Sequence, residues 1–244
     1  THSSMEELLK AQFTIDENPF NKMVLYATSG GKYVRGNIIL DIEPTMTNSA
    51  MAIELIHSAS LIIDDLPCMD NDVTRRNKAS TFRKFGENMA ILVSAYMMNQ
   101  ASLLIGKDFG DKNLEDLSIV FSKISALMCG QYIDLQKDIT DIKKLIEMKT
   151  CSLFELTFIL PFLRTDKPIE DAINLGKSLG YMYQIWDDFD DIDQDSSSKN
   201  IVLHDGITKS KEIYEVHYKK FTKFLKKNLL HSELFTRILN KIKI

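Results

Sequence analysis

Residues 52–78 read AIELIHSASLIIDDLPCMDNDVTRRNK. From Ala52 to Ile63 the run is nearly all apolar or small, with Glu54 and His57 the main interruptions. Apolarity on every side of a helix marks one enclosed by other helices. The run ends in Asp64-Asp65, and Pro67 then removes a backbone donor and ends or kinks the helix. Asp70 stands six residues after Asp64. On an unbroken helix the two would diverge by about 240°. A bend at Pro67 would bring Asp70 back towards Asp64. Carboxylates crowded this way repel one another, and a fold tolerates the crowding when a cation neutralises it.

Outward from this stretch, apolar residues keep the i, i+3, i+4 spacing of helices, and strand signals are scarce. The 244 residues include only 10 Gly and 5 Pro to break them. Helices are predicted over 4–13, 20–28, 35–40, 47–66, 80–107, 114–129, 138–162, 168–192 and 208–230, with a short terminal helix after them. The fold class is all-α, a bundle of more than four helices. A hydrophobic content of 44% suits one sizeable core and a single domain over 1–244. The predicted helix 168–192 ends in a second cluster, Asp187-Asp188-Phe189-Asp190-Asp191. Asp187 and Asp191 are four apart and share a helical face, with Asp188 beside them. Either cluster alone also reads as an ordinary acidic helix end. Two in one chain suggest hard cations, and hard cations suggest a phosphate-bearing substrate.

The net charge of −4 disfavours bulk binding of nucleic acid. The charge is uneven: 209–244 carries ten Lys/Arg against three Glu, a net of +7, and the remainder carries −11. That basic tail reads as a solvated helix face, or as a flap facing an anionic ligand or membrane surface. Cys68, Cys129 and Cys151 lack metal-type spacing and imply a reducing, cytoplasmic setting. No run reads as approaching the roughly 20 apolar residues of a spanning helix, so no transmembrane segment is expected. No signal peptide is visible, and a targeting segment ahead of Thr1 stays open.

Five stretches, in order, carry a resemblance: GGKYVR at 30–35, the opening stretch 52–78, GQYIDL at 130–135, MKTCSLFE at 148–155 and YQIWDDFDD at 183–191. Together they resemble the polyprenyl synthetase family, the trans-isoprenyl diphosphate synthases. The resemblance implies an isoprenoid synthase-type helical bundle around a central cavity, commonly homodimeric. It implies condensation of isopentenyl diphosphate with an allylic diphosphate (dimethylallyl, geranyl or farnesyl), with three Mg²⁺ ions per site. Asp64, Asp70 and Asp187 would lead in holding Mg²⁺, and Asp65, Asp188 and Asp191 would assist. Lys32, Arg35, His57 and Arg76 would bind isopentenyl diphosphate, and Arg75 the allylic diphosphate. Lys149, Thr150 and Gln184 would line the reacting carbons. Outside that resemblance, His57 reads as a core histidine, Arg75-Arg76 as a solvated loop pair, and Tyr183 and Trp186 as core aromatics.

The chain departs from the family's pattern in places. Gly36 stands where the family usually has Pro, Asn77 and Cys151 where it has Gly, and Ser94-Ala95 where it has Gly-Asp. The Gly-Lys-Asp run after the second cluster is missing, which leaves Lys199 as the candidate for its phosphate-contacting lysine. One helical turn before the first cluster stand Ala59 and Ser60, both small. A bulky side chain there would stop the product early, so geranylgeranyl diphosphate is expected rather than farnesyl diphosphate. The alternatives are a farnesyl diphosphate synthase or a weakly active regulatory subunit of a heteromeric synthase. A terpene cyclase would also ionise a diphosphate, but it usually carries a mixed Asn/Ser/Glu metal motif in place of the second cluster.

Overall fold

A computed structural model describes residues 4–193 and 199–244. Contacts within the chain gather into two compact units, and the chain passes from one to the other between Lys112 and Asn113. The all-α expectation holds in both.

In the first unit, α1 (Met5–Gln12), α2 (Asn21–Thr28) and α3 (Val34–Ile42) flank α4 (Thr47–Asp65). A reciprocal capping box at Ser4 and Glu7 starts α1 and satisfies two otherwise orphaned backbone donors. As its composition demands, α4 is enclosed, with Ala50, Ala52, Ile53, Leu55, Ile56 and Ala59 fully buried. Its main neighbour is α6 (Glu87–Asp108). Asp108, at the end of α6, accepts hydrogen bonds from the Ser49 backbone N–H at 2.7 Å and from Asn48 Nδ2 at 2.9 Å. It so satisfies an amide in the first turn of α4, where a negative charge also suits the helix dipole.

The helix expected over 80–107 divides at Gly86, whose φ of 95° a residue with a Cβ rarely adopts. The short α5 (Thr81–Phe85) precedes the break. Contrary to the expectation from sequence, α6 is long and apolar enough to cross a membrane by length and composition. Its apolarity has a local cause: Ala90, Val93, Met97, Ala101, Leu104 and Ile105 form a buried face in the unit whose core is α4. A two-stranded hairpin not foreseen in the sequence, β1 (Thr74–Arg75) with β2 (Lys78–Ala79), turns through Arg76 and Asn77. Both turn residues have positive φ, 52° and 61°, as a two-residue hairpin turn of the primed kind requires. Asparagine tolerates that region better than most residues, so Asn77 serves where a Gly was expected.

The second unit holds α7 (Ser118–Asp134), α8 (Ile142–Ile146), α9 (Ser152–Arg164), α10 (Ile169–Asp190), α11 (Ile201–Asp205), α12 (Ile207–Lys227) and α13 (Glu233–Lys241). The single helix expected over 138–162 is interrupted by a π-helical turn at Glu147–Cys151, joining α8 to α9. Such turns are rare and frequent at functional sites. Phe158 of α9 packs against Phe162, Phe221 and Phe235, with ring centroids 6.2 to 6.5 Å apart. α9 meets α10 backbone to backbone. A Cβ on Gly176 would lie 2.2 Å from Glu155 Cα, and one on Gly180 2.7 Å from Cys151 Sγ. The buried Cys151 therefore fits because Gly180 has no side chain. α11 was not foreseen, and it starts at Asn200, whose side chain accepts from the Val202 and Leu203 amides at 2.9 and 3.2 Å.

Candidate active site

At the end of α4 the chain bends at Pro67 as the spacing requires. The Asp70 amide donates to the Asp64 carbonyl at 2.9 Å, and the Asp72 amide to the Asp65 carbonyl at 3.1 Å. Asn71, at φ 54°, completes the reversal. Asp70 is thus returned to the neighbourhood of Asp64. The side chains of the Asp64-Asp65 pair have different environments. Asp64 is partly exposed and Asp70 exposed, whereas Asp65 is only 2% exposed. The Arg75 guanidinium binds Asp65 with two hydrogen bonds, Nε to Oδ2 at 2.7 Å and Nη2 to Oδ1 at 2.8 Å. Two parallel charge-assisted bonds fix direction as well as distance. The bond to Asp65, with the charges of Asp65, Asp64 and Asp72, raises the Arg75 pKa against the opposing effect of burial.

Arg76 serves a different element. Its Nη1 donates to the Ala27 and Ser29 carbonyls at 3.2 and 3.3 Å, at the end of α2, where helical carbonyls lack partners. Lys78 caps the same end through the Tyr26 carbonyl and the Ser29 hydroxyl, 4.0 Å above the Tyr26 ring. The glycine loop lies against Arg76: a Cβ on Gly31 would come within 3.1 Å of the guanidinium carbon. Beyond that loop, Lys32 is exposed and Arg35 partly exposed.

Glu54 is buried near these cations and accepts from the Gly36 amide at 2.8 Å. Burial raises its pKa, while the Gly36 N–H and the charges of Arg35 and Arg76 oppose the rise. Proline has no N–H, so Gly36 departs from the family's pattern with a consequence: it satisfies a buried carboxylate. Burial, then the charges of Arg35, Arg76 and Arg75, hold the His57 pKa well below 6.5. The imidazole is therefore neutral at neutral pH. The structure brings His57 within electrostatic reach of three of the predicted arginines. Ala59 is fully buried, and Ser60, 7% exposed, donates its hydroxyl to the His57 carbonyl at 2.6 Å.

In the second unit the pattern of the pair repeats. Asp187 is exposed and Asp191 partly so, whereas Asp188 is 3% exposed. Asp188 Oδ1 accepts from Gln184 Nε2 at 2.7 Å, and Oδ2 from the Ile201 amide at 2.9 Å. Its carbonyl accepts from Asn200 Nδ2 at 2.8 Å. Gln184 Oε1 in turn accepts from the Thr150 hydroxyl at 2.7 Å. With both ends of the amide bonded, the Gln184 orientation is set, and the Thr150 oxygen keeps its lone pairs. Thr150 and Lys149 ride on the π-helical turn, which Tyr181 also anchors by donating to Glu147 at 2.9 Å. Burial first, then the Glu147 bond, raises the Tyr181 pKa. Lys149 Nζ lies 2.6 Å from Asp134 Oδ2, and Lys199 Nζ lies 3.5 Å from Asp134 Oδ1. Tyr183 packs between Phe154 and Trp186, at centroid distances of 5.3 and 5.6 Å, and Tyr183 and Trp186 both stay partly exposed.

Sequence reasoning missed Asp134, Glu147 and Glu54. Glu54 had a signal: a carboxylate three residues before His57 on an otherwise apolar helix needs a partner. Asp134 is the one charged residue of GQYIDL. Nothing local marked Glu147. Much of the shortened loop after the second cluster, 194–198, lies outside the described residues.

Among the described residues no three carboxylate, imidazole or thiol groups gather around one point. Neither cluster is thus a closed protein cage of the kind Ca²⁺ or structural Zn²⁺ takes. Mg²⁺ is commonly held by one or two carboxylates, with waters and phosphate oxygens completing its octahedron. The all-oxygen donor set of Asp64 with Asp70, and of Asp187 with Asp191, fits that cation.

The chain matches the model of the polyprenyl synthetase family over residues 17–218. The farnesyl diphosphate synthase of Buchnera aphidicola subsp. Acyrthosiphon pisum is 30% identical over 254 aligned residues, spanning 87% of this chain and 89% of its own. Geranylgeranyl pyrophosphate synthase 4 of Arabidopsis thaliana is 32% identical over 204, spanning 74% of this chain and 54% of its own. Among solved structures, an isoprenoid synthase family member from Thermotoga neapolitana has a TM-score of 0.87 at 26% identity, covering 98% of each chain. A geranyltranstransferase from Thermotoga maritima has a TM-score of 0.84 at 28% identity, covering 98% of this chain and 93% of its own.

Proposed function

The chain belongs to the polyprenyl synthetase family, and from that premise we propose that it is a Mg²⁺-dependent trans-prenyltransferase making geranylgeranyl diphosphate. The observation that carries this reading is the division of labour within each aspartate pair: the first carboxylate faces outward and the second is tied inward. Asp64, Asp70 and Asp187, with Asp191, would hold Mg²⁺, three ions in all by the family's count. Bound there, Mg²⁺ would neutralise the diphosphate of the allylic substrate so that it can leave. Asp65 and Asp188 do not compete for that role; they fix Arg75 and Gln184.

Arg75, Lys149 and Lys199 bind the allylic diphosphate in this account. Lys32, Arg35, Arg76 and neutral His57 bind isopentenyl diphosphate, His57 as an uncharged hydrogen-bond donor. When the allylic C–O bond breaks, the Thr150 lone pairs and the Gln184 carbonyl dipole steady the cation. The isopentenyl double bond attacks it, and the departing diphosphate takes the proton that is lost.

Small side chains support the twenty-carbon product: Ala59 and Ser60 stand one turn before the first cluster, where a bulky residue would stop the chain early. Ser60→Phe is expected to shorten the main product by at least one five-carbon unit, and an unchanged product distribution would remove this assignment. A homodimer is part of the proposal, and Ile91, Leu92 and Leu103 support it by exposing an apolar face of α6. So is a single catalytic domain over 1–244 in the reducing cytoplasm. The direct test is product analysis after incubation with isopentenyl diphosphate, Mg²⁺ and dimethylallyl, geranyl or farnesyl diphosphate in turn. Growth of each primer to twenty carbons is expected. Growth that stops at fifteen would make the chain a farnesyl diphosphate synthase. No growth of any primer would leave the regulatory subunit of a heteromeric synthase as the better reading.

A further inference from the structure

We propose that Asp134 is a positioning residue that gathers Lys149 and Lys199 into one two-lysine clamp for a diphosphate. The inference rests on the prenyltransferase reading and gives a role to a residue that reading does not use. Asp134 closes α7 and is 9% exposed. Its two oxygens lie 2.6 Å from Lys149 Nζ and 3.5 Å from Lys199 Nζ. The lysines come from separate elements, the π-helical turn and the segment just before α11. Two ammonium groups repel each other, and a shared carboxylate is the simplest means of holding them together.

Access differs among the three side chains. That of Asp134 is 12% exposed, against 27% for Lys149 and 42% for Lys199. The carboxylate is the covered partner, and the ammonium groups keep a way out to a ligand. Each ammonium carries three donors, so a bond to Asp134 does not exhaust it. The backbone fixes the near half of the clamp. Gly130, one turn before Asp134 on α7, packs so closely that a Cβ there would lie 2.6 Å from the Lys149 amide nitrogen. The Asp134–Lys149 distance is therefore set by main-chain contact between α7 and the π-helical turn. The clamp also gives Lys199 a place in the site although the Gly-Lys-Asp run is missing from its loop.

Asp134→Asn separates two physical effects by sign. By charge alone, it removes a negative group near an anion site and tightens diphosphate binding. If the carboxylate positions the lysines, the same change lets them part and weakens binding. The test is calorimetric titration of inorganic diphosphate with Mg²⁺ into the full chain, for the wild type, Asp134→Asn, Lys199→Gln and the double variant. Each single change is expected to raise Kd about tenfold. The double variant is expected to bind no more weakly than the worse single one, as coupled groups do. Tighter or unchanged binding in Asp134→Asn, or additive losses in the double variant, would overturn the clamp.

Lys199 is an exposed residue, so Lys199→Gln folds whether or not Asp134→Asn does. Wild-type diphosphate affinity in Lys199→Gln would overturn the proposal by itself. In turnover, Asp134→Asn is expected to raise KM for the allylic diphosphate while KM for isopentenyl diphosphate stays within about twofold. General damage to the fold would move both. A wild type that elongates nothing would refute the prenyltransferase reading, and the titrations would still decide the clamp.

Discussion

The two aspartate pairs share a sequence and differ in how the inner member is held. Asp64-Asp65 closes α4, and Asp187-Asp188 stands in the last turn of α10. In both, the second carboxylate is buried. Asp65 faces a guanidinium, whereas Asp188 faces the Gln184 amide and the Ile201 N–H. The difference comes from the course the chain takes after each pair. Pro67 stops α4, and the hairpin beyond it returns Arg75 to Asp65. α10 runs on past Asp188, so Gln184, one turn back on the same face, becomes a partner. The chain then returns as α11 and offers a backbone amide. The pair decides which carboxylate turns outward; the segment after it decides whether a guanidinium or a backbone amide is delivered to the inner one.

The largest expected effect tests what the pairs share. Asp64→Ala and Asp187→Ala should each lower kcat/KM by about 10³, while denaturant midpoints stay near wild type. A large loss in only one of them would break the parallel. A smaller effect tests what differs. Asp65→Asn leaves a half-buried guanidinium short of its counter-charge and is expected to cost about 3 kcal/mol. Asp188→Asn removes one of the acceptors that face the Gln184 amide and the Ile201 N–H and is expected to cost about 1 kcal/mol. Urea unfolding of the two variants checks the order, and a reversed order would contradict the weight given to the Arg75–Asp65 pair.

The smallest effect lies in the acid limb of stability, where each unit contributes one histidine. Burial, helped by nearby lysines, lowers the His217 pKa to about 4, as it stacks on Tyr181 at 4.3 Å. His57 is lowered as well, by burial and three arginines. Between 6.5 and the lowered values the unfolded chain binds the proton that the folded chain refuses. Stability from these groups is therefore complete above 6.5 and falls as pH drops towards 4. His217→Gln should flatten part of that fall, seen as a smaller drop in Tm between about pH 7 and about pH 5. An unaltered drop would remove His217 from the account.

Much of this was legible in the sequence. The near-complete apolarity of 52–63 identified the central helix, and the six-residue spacing with Pro67 called for the bend that the Asp70–Asp64 backbone bond closes. Which carboxylate of each pair turns inward was not legible, because it depends on partners that tertiary folding delivers. Arg75 arrives on a hairpin whose turn has no glycine, so its usual signal is missing. The π-helical turn keeps a helical apolar pattern and looks like uninterrupted helix until its hydrogen bonds are traced. Asn200 caps α11 from within a polar run where a cap does not stand out. Gly36 looked like the loss of a proline, and only the buried Glu54 beside it explains the exchange.

The central claim is that the outward carboxylates of both pairs serve one Mg²⁺-dependent reaction. It is tested most directly by the rate of elongation of an allylic primer against free Mg²⁺, in the wild type, Asp64→Ala and Asp187→Ala. The account predicts no elongation by the wild type under chelation, full recovery on adding Mg²⁺, and no recovery in either variant. Elongation that survives chelation, or a wild-type rate in either variant, would contradict it.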